Sequence, residues 1–191
     1  MPVVAFFLLW LARTPFWEAR PPGQWTPDEL HAMLTQSPWA QGVGPAPVVG
    51  VILATARPID EAEAELVRRH LGGGTVATTA DPDYTDYIAR HRDQQFSLAI
   101  PYSDLSRLGN AEDERRLEEE TVMTIGRRRV KMTGHFPPTP GDPVLRLIFP
   151  RVVKPDDKSV GFELFLPGIT NPARLVEFRV RDLLYRGKLE M

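Results

Sequence analysis

Leu175-Val176-Glu177-Phe178-Arg179-Val180-Arg181 (LVEFRVR, residues 175–181) alternates without a break. Leu175, Glu177, Arg179 and Arg181 fall on one side of an extended chain, Val176, Phe178 and Val180 on the other. A strand with that period has one wet face and one buried face. Antiparallel sheets commonly tolerate water on one side, whereas parallel sheets are covered on both. Upstream, Val160 to Leu166 and Val144 to Phe149 read as two more strands, separated by proline-rich loops. Val122, Thr124 and their neighbours alternate, Gly126-Arg127 makes a turn, and Arg129 to Phe136 alternates again, the pattern of a β-hairpin.

The first half of the chain supplies the helices. Thr26-Pro27-Asp28-Glu29 is a helix start: Thr26 caps, Pro27 suits the first turn, and Glu29 stands three after the cap. Leu30, Met33 and Leu34 form its apolar face, and Ser37-Pro38-Trp39-Ala40 ends it. Gln41 to Pro47 reads as loop, and Val48 to Thr55 as a central strand. Pro58 to Leu71 is a helix with Ile59, Ala62, Leu66 and Leu71 toward the core. Its acids come early and Arg68, Arg69 and His70 late, matching the macrodipole. Gly72 to Gly74 terminates it. Thr75 to Asp83 reads as loop or weak edge strand, Tyr84 to Arg92 as a helix, Phe96 to Tyr102 as a strand, and Asp104 to Glu119 as a charged helical connection. These elements predict an α+β domain, a mostly antiparallel sheet with two to four helices packed on one face.

Met1 to Ala12 (MPVVAFFLLWLA) contrasts with all of this. The run is shorter than the roughly 20 apolar residues a spanning helix needs and fits the apolar core of a secretory signal. It has no Lys or Arg before it and no clean small-x-small cleavage site after it. The expected organisation is a leader or anchor over 1–19, a linker over 20–24 (RPPGQ) and one domain over 25–191. An alternative makes the run a buried part of a cytoplasmic protein. The 191 residues are 42% hydrophobic and 25% charged, as in a globular protein. A net charge of −2 gives no global field for nucleic acid. The chain has no cysteine, which excludes disulfides, thiolate metal sites and cysteine nucleophiles.

No catalytic, metal or nucleotide motif emerges. Gly72 to Gly74 follow a helix, whereas phosphate loops lead into one. Asp81, Asp83 and Asp86 lack the glycine and distal glutamate of a calcium loop. The four histidines are far apart, and no serine sits in G-x-S-x-G. Cofactor and metal sites are therefore not expected. The contact candidates are Trp25 and Trp39, which bracket the first helix as a packing clamp or a ligand platform. The basic hairpin tip Arg127, Arg128, Arg129 and Lys131 and the unexplained His135 join them. Glu112 to Glu120, interleaved with Arg115 and Arg116, reads as a salt-bridged exposed helix face.

Three stretches carry a resemblance: Trp25-Thr26 with Glu29, Leu34-Thr35-Gln36-Ser37-Pro38-Trp39-Ala40, and Leu183 to Glu190 with Gly187-Lys188-Leu189-Glu190. Together they resemble a family of mostly exported bacterial proteins to which no chemistry is assigned, over most of residues 24–191. The resemblance implies export and transfers no catalytic residue. The sequence therefore favours a secreted, periplasmic or envelope-associated binding or scaffolding domain, with a protein or envelope component as partner and membrane association through the N-terminal run. The alternative is a hydrolase-type enzyme whose site assembles around His135 only in three dimensions.

Overall fold

The computed structural model describes residues 14–69, 81–102 and 111–191. The N-terminal run, the Gly72–Gly74 stop, most of the 75–83 segment and the start of the charged connection lie outside them. Within them the fold is α+β, with helix and strand in about equal shares and every strand pairing antiparallel.

Helix α1 (Phe16–Ala19) precedes α2 (Pro27–Thr35), whose start carries a reciprocal cap. The Thr26 hydroxyl accepts from Glu29 N–H at 3.2 Å, and the Glu29 carboxylate accepts from Thr26 N–H at 2.8 Å. Strands β1 (Ala40–Val43) and β2 (Val49–Leu53) follow, then α3 (Arg57–Arg68), α4 (Pro82–His91), β3 (Gln95–Pro101) and α5 (Ala111–Glu120). The remainder is β4 (Val122–Ile125), β5 (Arg128–Lys131), β6 (Gly134–Phe136), β7 (Val144–Pro150), β8 (Ser159–Phe165) and β9 (Ala173–Arg179). A ribbon of β10 (Leu184–Tyr185) and β11 (Lys188–Leu189) closes the described chain.

The strands divide into a five-stranded sheet, β1-β2-β3-β7-β6, and a four-stranded sheet, β5-β4-β8-β9. Inward-pointing phenylalanines join them. Phe96 and Phe149 from the first sheet stack at 5.9 Å, Phe149 meets Phe162 of the second at 5.2 Å, and Phe162 meets Phe178 at 6.0 Å. All four are at most 1% exposed. The burial alternation of 175–181 holds, with Val176, Phe178 and Val180 buried and Leu175, Glu177, Arg179 and Arg181 exposed, but the strand expected through Arg181 ends at Arg179, where a 3-10 turn over Val180–Leu183 begins.

The opposite face of the five-stranded sheet carries α4. Tyr84 and Ile88 pack on Ile148, and the Arg146 guanidinium lies 4.3 Å from the Tyr84 ring centre. Arg146 donates to the buried Asp142 carboxylate, which also accepts from Asp81 N–H at 2.8 Å, tying the start of α4 to β7. Helices α2 and α3 pack on each other, and Leu30 and Met33 of α2 join the main core.

Other local readings change as well. Gln41 to Val43, expected as the start of a loop over Gln41 to Pro47, belong with Ala40 to an edge strand, because the register with Val49–Ile52 supplies the ladder that their own sequence does not advertise. Arg129 to Phe136, expected as one hairpin arm, is two strands in different sheets. The chain leaves the four-stranded sheet at Lys131 and enters the other at Gly134, pinned by Thr133 N–H on Ile148 O at 2.8 Å. Arg20 to Gln24, expected as linker, contains a 3-10 turn over Pro22–Gln24 held by Arg69, which donates to Trp25 O at 2.7 Å and Gly23 O at 3.0 Å. No helix among the described residues is long and apolar enough to cross a membrane.

Candidate binding surface on the four-stranded sheet

The four-stranded sheet turns its second face outward. Helix α5 covers one end, where the Arg116 guanidinium sits 4.1 Å from the centre of the Phe165 ring. Beyond that roof the face is open. Register places Thr124 beside Gly161 and Gly161 beside Glu177, with Glu163 beside Leu175 in the next row. A Cβ at Gly161 would lie 2.5 Å from Thr124 Oγ1, so a larger residue would have to turn that hydroxyl aside. The missing side chain leaves a depression of about 320 Å³ between Thr124, Gly161, Glu163 and Glu177. Leu175 rises at its rim, 76% exposed. Two further hollows adjoin it, and Glu177 lines all three.

The charges here are of both signs. Arg129 grips Glu163 with both nitrogens, at 2.6 and 2.9 Å, a bidentate pair that neutralises one end of the depression. The hydrogen bonds to the Glu163 carboxylate, and then its negative charge, hold the Arg129 guanidinium above its ordinary pKa. Glu177 and Arg179 form no ion pair among the described residues. Glu177 is anchored by its backbone, whose carbonyl accepts from Gln41 Nε2 at 3.2 Å, which ties β9 to the edge of the other sheet.

The residues singled out from sequence do not converge on one place. Trp25 and Trp39 are 1% and 0% exposed, so both rings serve as packing in this structure. They belong to an edge-on aromatic chain. Phe16 meets Trp25 at 5.3 Å, Trp17 meets Trp39 at 5.9 Å, and Trp39 meets Tyr185 at 6.1 Å. Trp39 Nε1 donates to Glu190 O at 2.9 Å, which brings together two of the segments that carry the family resemblance. Arg127 and Arg128 stand at the exposed hairpin end, where Gly126 (φ +58°) makes the turn, and Arg128 donates to Val152 O at 3.1 Å. Lys131 is exposed on the same edge strand. Of this basic group Arg129 alone lines up with the depression, through Glu163.

His135 lies elsewhere, on β6 at the edge of the other sheet. Its ring faces α5, with Nε2 3.7 Å from Glu114 and Nδ1 3.9 Å from Glu118. Both distances exceed a hydrogen bond, and the two carboxylates are well exposed. No group of three or more His, Asp or Glu among the described residues is arranged to hold a metal ion. Of the residues around the depression, only Arg129 stood among the sequence candidates, although Gly161 carried a signal of its own. Gly161 stands mid-strand between Val160 and Phe162, and a glycine there marks a place where another group approaches closely.

No family model matches the chain, and no curated protein or solved structure matches it.

Proposed function

We propose that this protein is a non-enzymatic binding or scaffolding domain, envelope-associated or secreted, that holds a protein partner against the open face of β4, β8 and β9. The observation that carries the reading is the Gly161 depression with Leu175 exposed at its rim. The inner faces of the two sheets are packed and α4 lies on the outer face of the five-stranded one, whereas this face combines an apolar knob, a hydroxyl floor and an unpaired charge of each sign. A mixed-sign surface with an apolar anchor suits a polypeptide better than a polyanion, for which a single-sign field is the usual footprint. The apolar run at 1–12, followed at once by the docked Phe16 and Trp17, supports attachment to an envelope as the setting.

A photo-crosslinking residue at position 175, compared with one at the exposed Val67 on α3, tests it in cells. The expected result is one dominant adduct specific to position 175. The purified pair should then bind at least about tenfold more weakly after Leu175→Asp or Glu177→Arg. Equal crosslinking from both positions, or unchanged affinity in both variants, would defeat the proposal.

A further inference from the structure

The ends of β2 and β7 and the start of β3 meet at one end of the five-stranded sheet, in a different sheet from the Gly161 depression. Two arginines lie together there. Arg92 Nη2 donates to Thr55 O at 2.7 Å and to the Asp60 carboxylate. Its own backbone carbonyl accepts from Arg151 Nε at 2.6 Å, and Gln95 O accepts from the same nitrogen at 3.0 Å. Arg151 N–H donates in turn to Gln94 O at 2.8 Å. The Arg151 side chain is therefore clamped at its neck by two backbone carbonyls. Neither of its terminal nitrogens has an acceptor or an ion pair among the described residues.

Two of the three nearby acids are engaged elsewhere, and the third, the exposed Asp93, favours the Arg151 charge without bonding to it. Asp60 is committed to Arg92, and Glu190 accepts from Arg57 N–H at 3.3 Å. Partial burial, and after it the charge of Arg92, hold Arg151 below the ordinary arginine pKa, against the opposing pull of Glu190, Asp93 and Asp60. A guanidinium fixed in orientation, with two parallel N–H groups on its outer edge, matches the two oxygens of an oxyanion and spends little entropy to bind it.

We infer that Arg151, seconded by Arg92, is a binding point for an oxyanion, the carboxylate or phosphate group of a small ligand. The site is independent of the sheet face proposed for the protein partner.

Side-chain ¹⁵N spectra of arginine in the full chain, titrated at constant ionic strength with inorganic phosphate and separately with acetate, test it. Saturable shifts of the Arg151 and Arg92 resonances, with Arg129 unmoved, are expected. Arg151→Lys keeps the charge but loses the fork, and should weaken binding by about tenfold or more. Saturation at lower phosphate than acetate identifies a phosphorylated ligand, and the reverse a carboxylate. The inference fails if neither anion gives a saturable shift at Arg151, if all exposed arginines shift alike, or if Arg151→Lys binds as wild type does. The wild-type shift map decides the matter even if the lysine variant does not fold.

Discussion

Gly44→Ala puts the end of the sandwich under a defined load. Gly44 has φ +86°, and a Cβ there would lie 2.4 Å from Arg174 Nε and 2.5 Å from its Cδ. Arg174 cannot step aside cheaply. It is 2% exposed, and its terminal nitrogens hold the carbonyls of Thr170, Asn171 and Ala173, which shape the turn between β8 and β9. The left-handed backbone costs an alanine about 1–2 kcal/mol. Overpacking against an immobile neighbour adds about 1–3 kcal/mol, so the expected loss is about 2–5 kcal/mol. Guanidinium unfolding followed by tryptophan fluorescence measures it. In an Arg174→Ala background the steric part disappears, and Gly44→Ala should cost only about 1–2 kcal/mol. A loss below about 1 kcal/mol in the native background, or the same loss in both backgrounds, refutes the packing argument.

Phe162→Ala removes the ring through which the two sheets meet, and should cost about 3–5 kcal/mol in the same unfolding assay; a loss near zero would mean the sheets do not share that core. Trp39→Phe leaves Glu190 O without its donor, and should cost about 1–3 kcal/mol while increasing amide exchange in residues 184–190. Unchanged exchange there would show that the tryptophan does not hold the ribbon. Hydrogen bonds from Arg68, and then from Arg69, pull the Glu65 carboxyl down from 4.5 to about 2. A carboxyl whose pKa is lowered by folding stabilises fully above its unfolded value and loses that contribution as pH falls through the folded one. The stability gap between wild type and Glu65→Gln should thus hold above about pH 4.5 and shrink between 4.5 and 2. Urea unfolding across that range checks it, and a constant gap would contradict the assignment.

Local signals in the sequence were good guides where the residues carrying them also did the work. Thr26 and Glu29 cap α2 because a cap is a contact three residues long. The 175–181 alternation survives because β9 is solvated on one side. Ala40–Val43 escaped notice because Gln41 and Gly42 have no strand preference of their own, and pairing with β2 alone makes them extended. The break at Met132-Thr133 was hidden for a similar reason: alternation continues through it, while the partner changes from β4 to β7. The candidate surface was harder still. Arg129 meets Glu163 across 34 residues, Gly161 meets Thr124 across two strands, and neither pairing has a signature along the chain. Trp25 and Trp39 stood out because tryptophan beside a turn invites both a packing and a binding reading, and only burial separates them.

The segments that look most distinctive in the sequence turn out to be heavily engaged. Trp39 holds Glu190 O, Thr55 Oγ1 donates to Met191 O at 3.0 Å, and Tyr185 OH donates to Glu61 at 2.5 Å. Arg186 N–H donates to Glu18 at 2.9 Å, which seats α1 beside the terminal ribbon. Groups bound in this way cannot greet a ligand without first giving up structure, which places the distinctive segments in the wall of the domain. A partner is better received where side chains carry no such obligation. On the described surface that condition is met by Leu175, Glu177 and Arg179 on β9, a strand whose buried half is fixed by Phe178 and Val176 and whose outward half is free to be read.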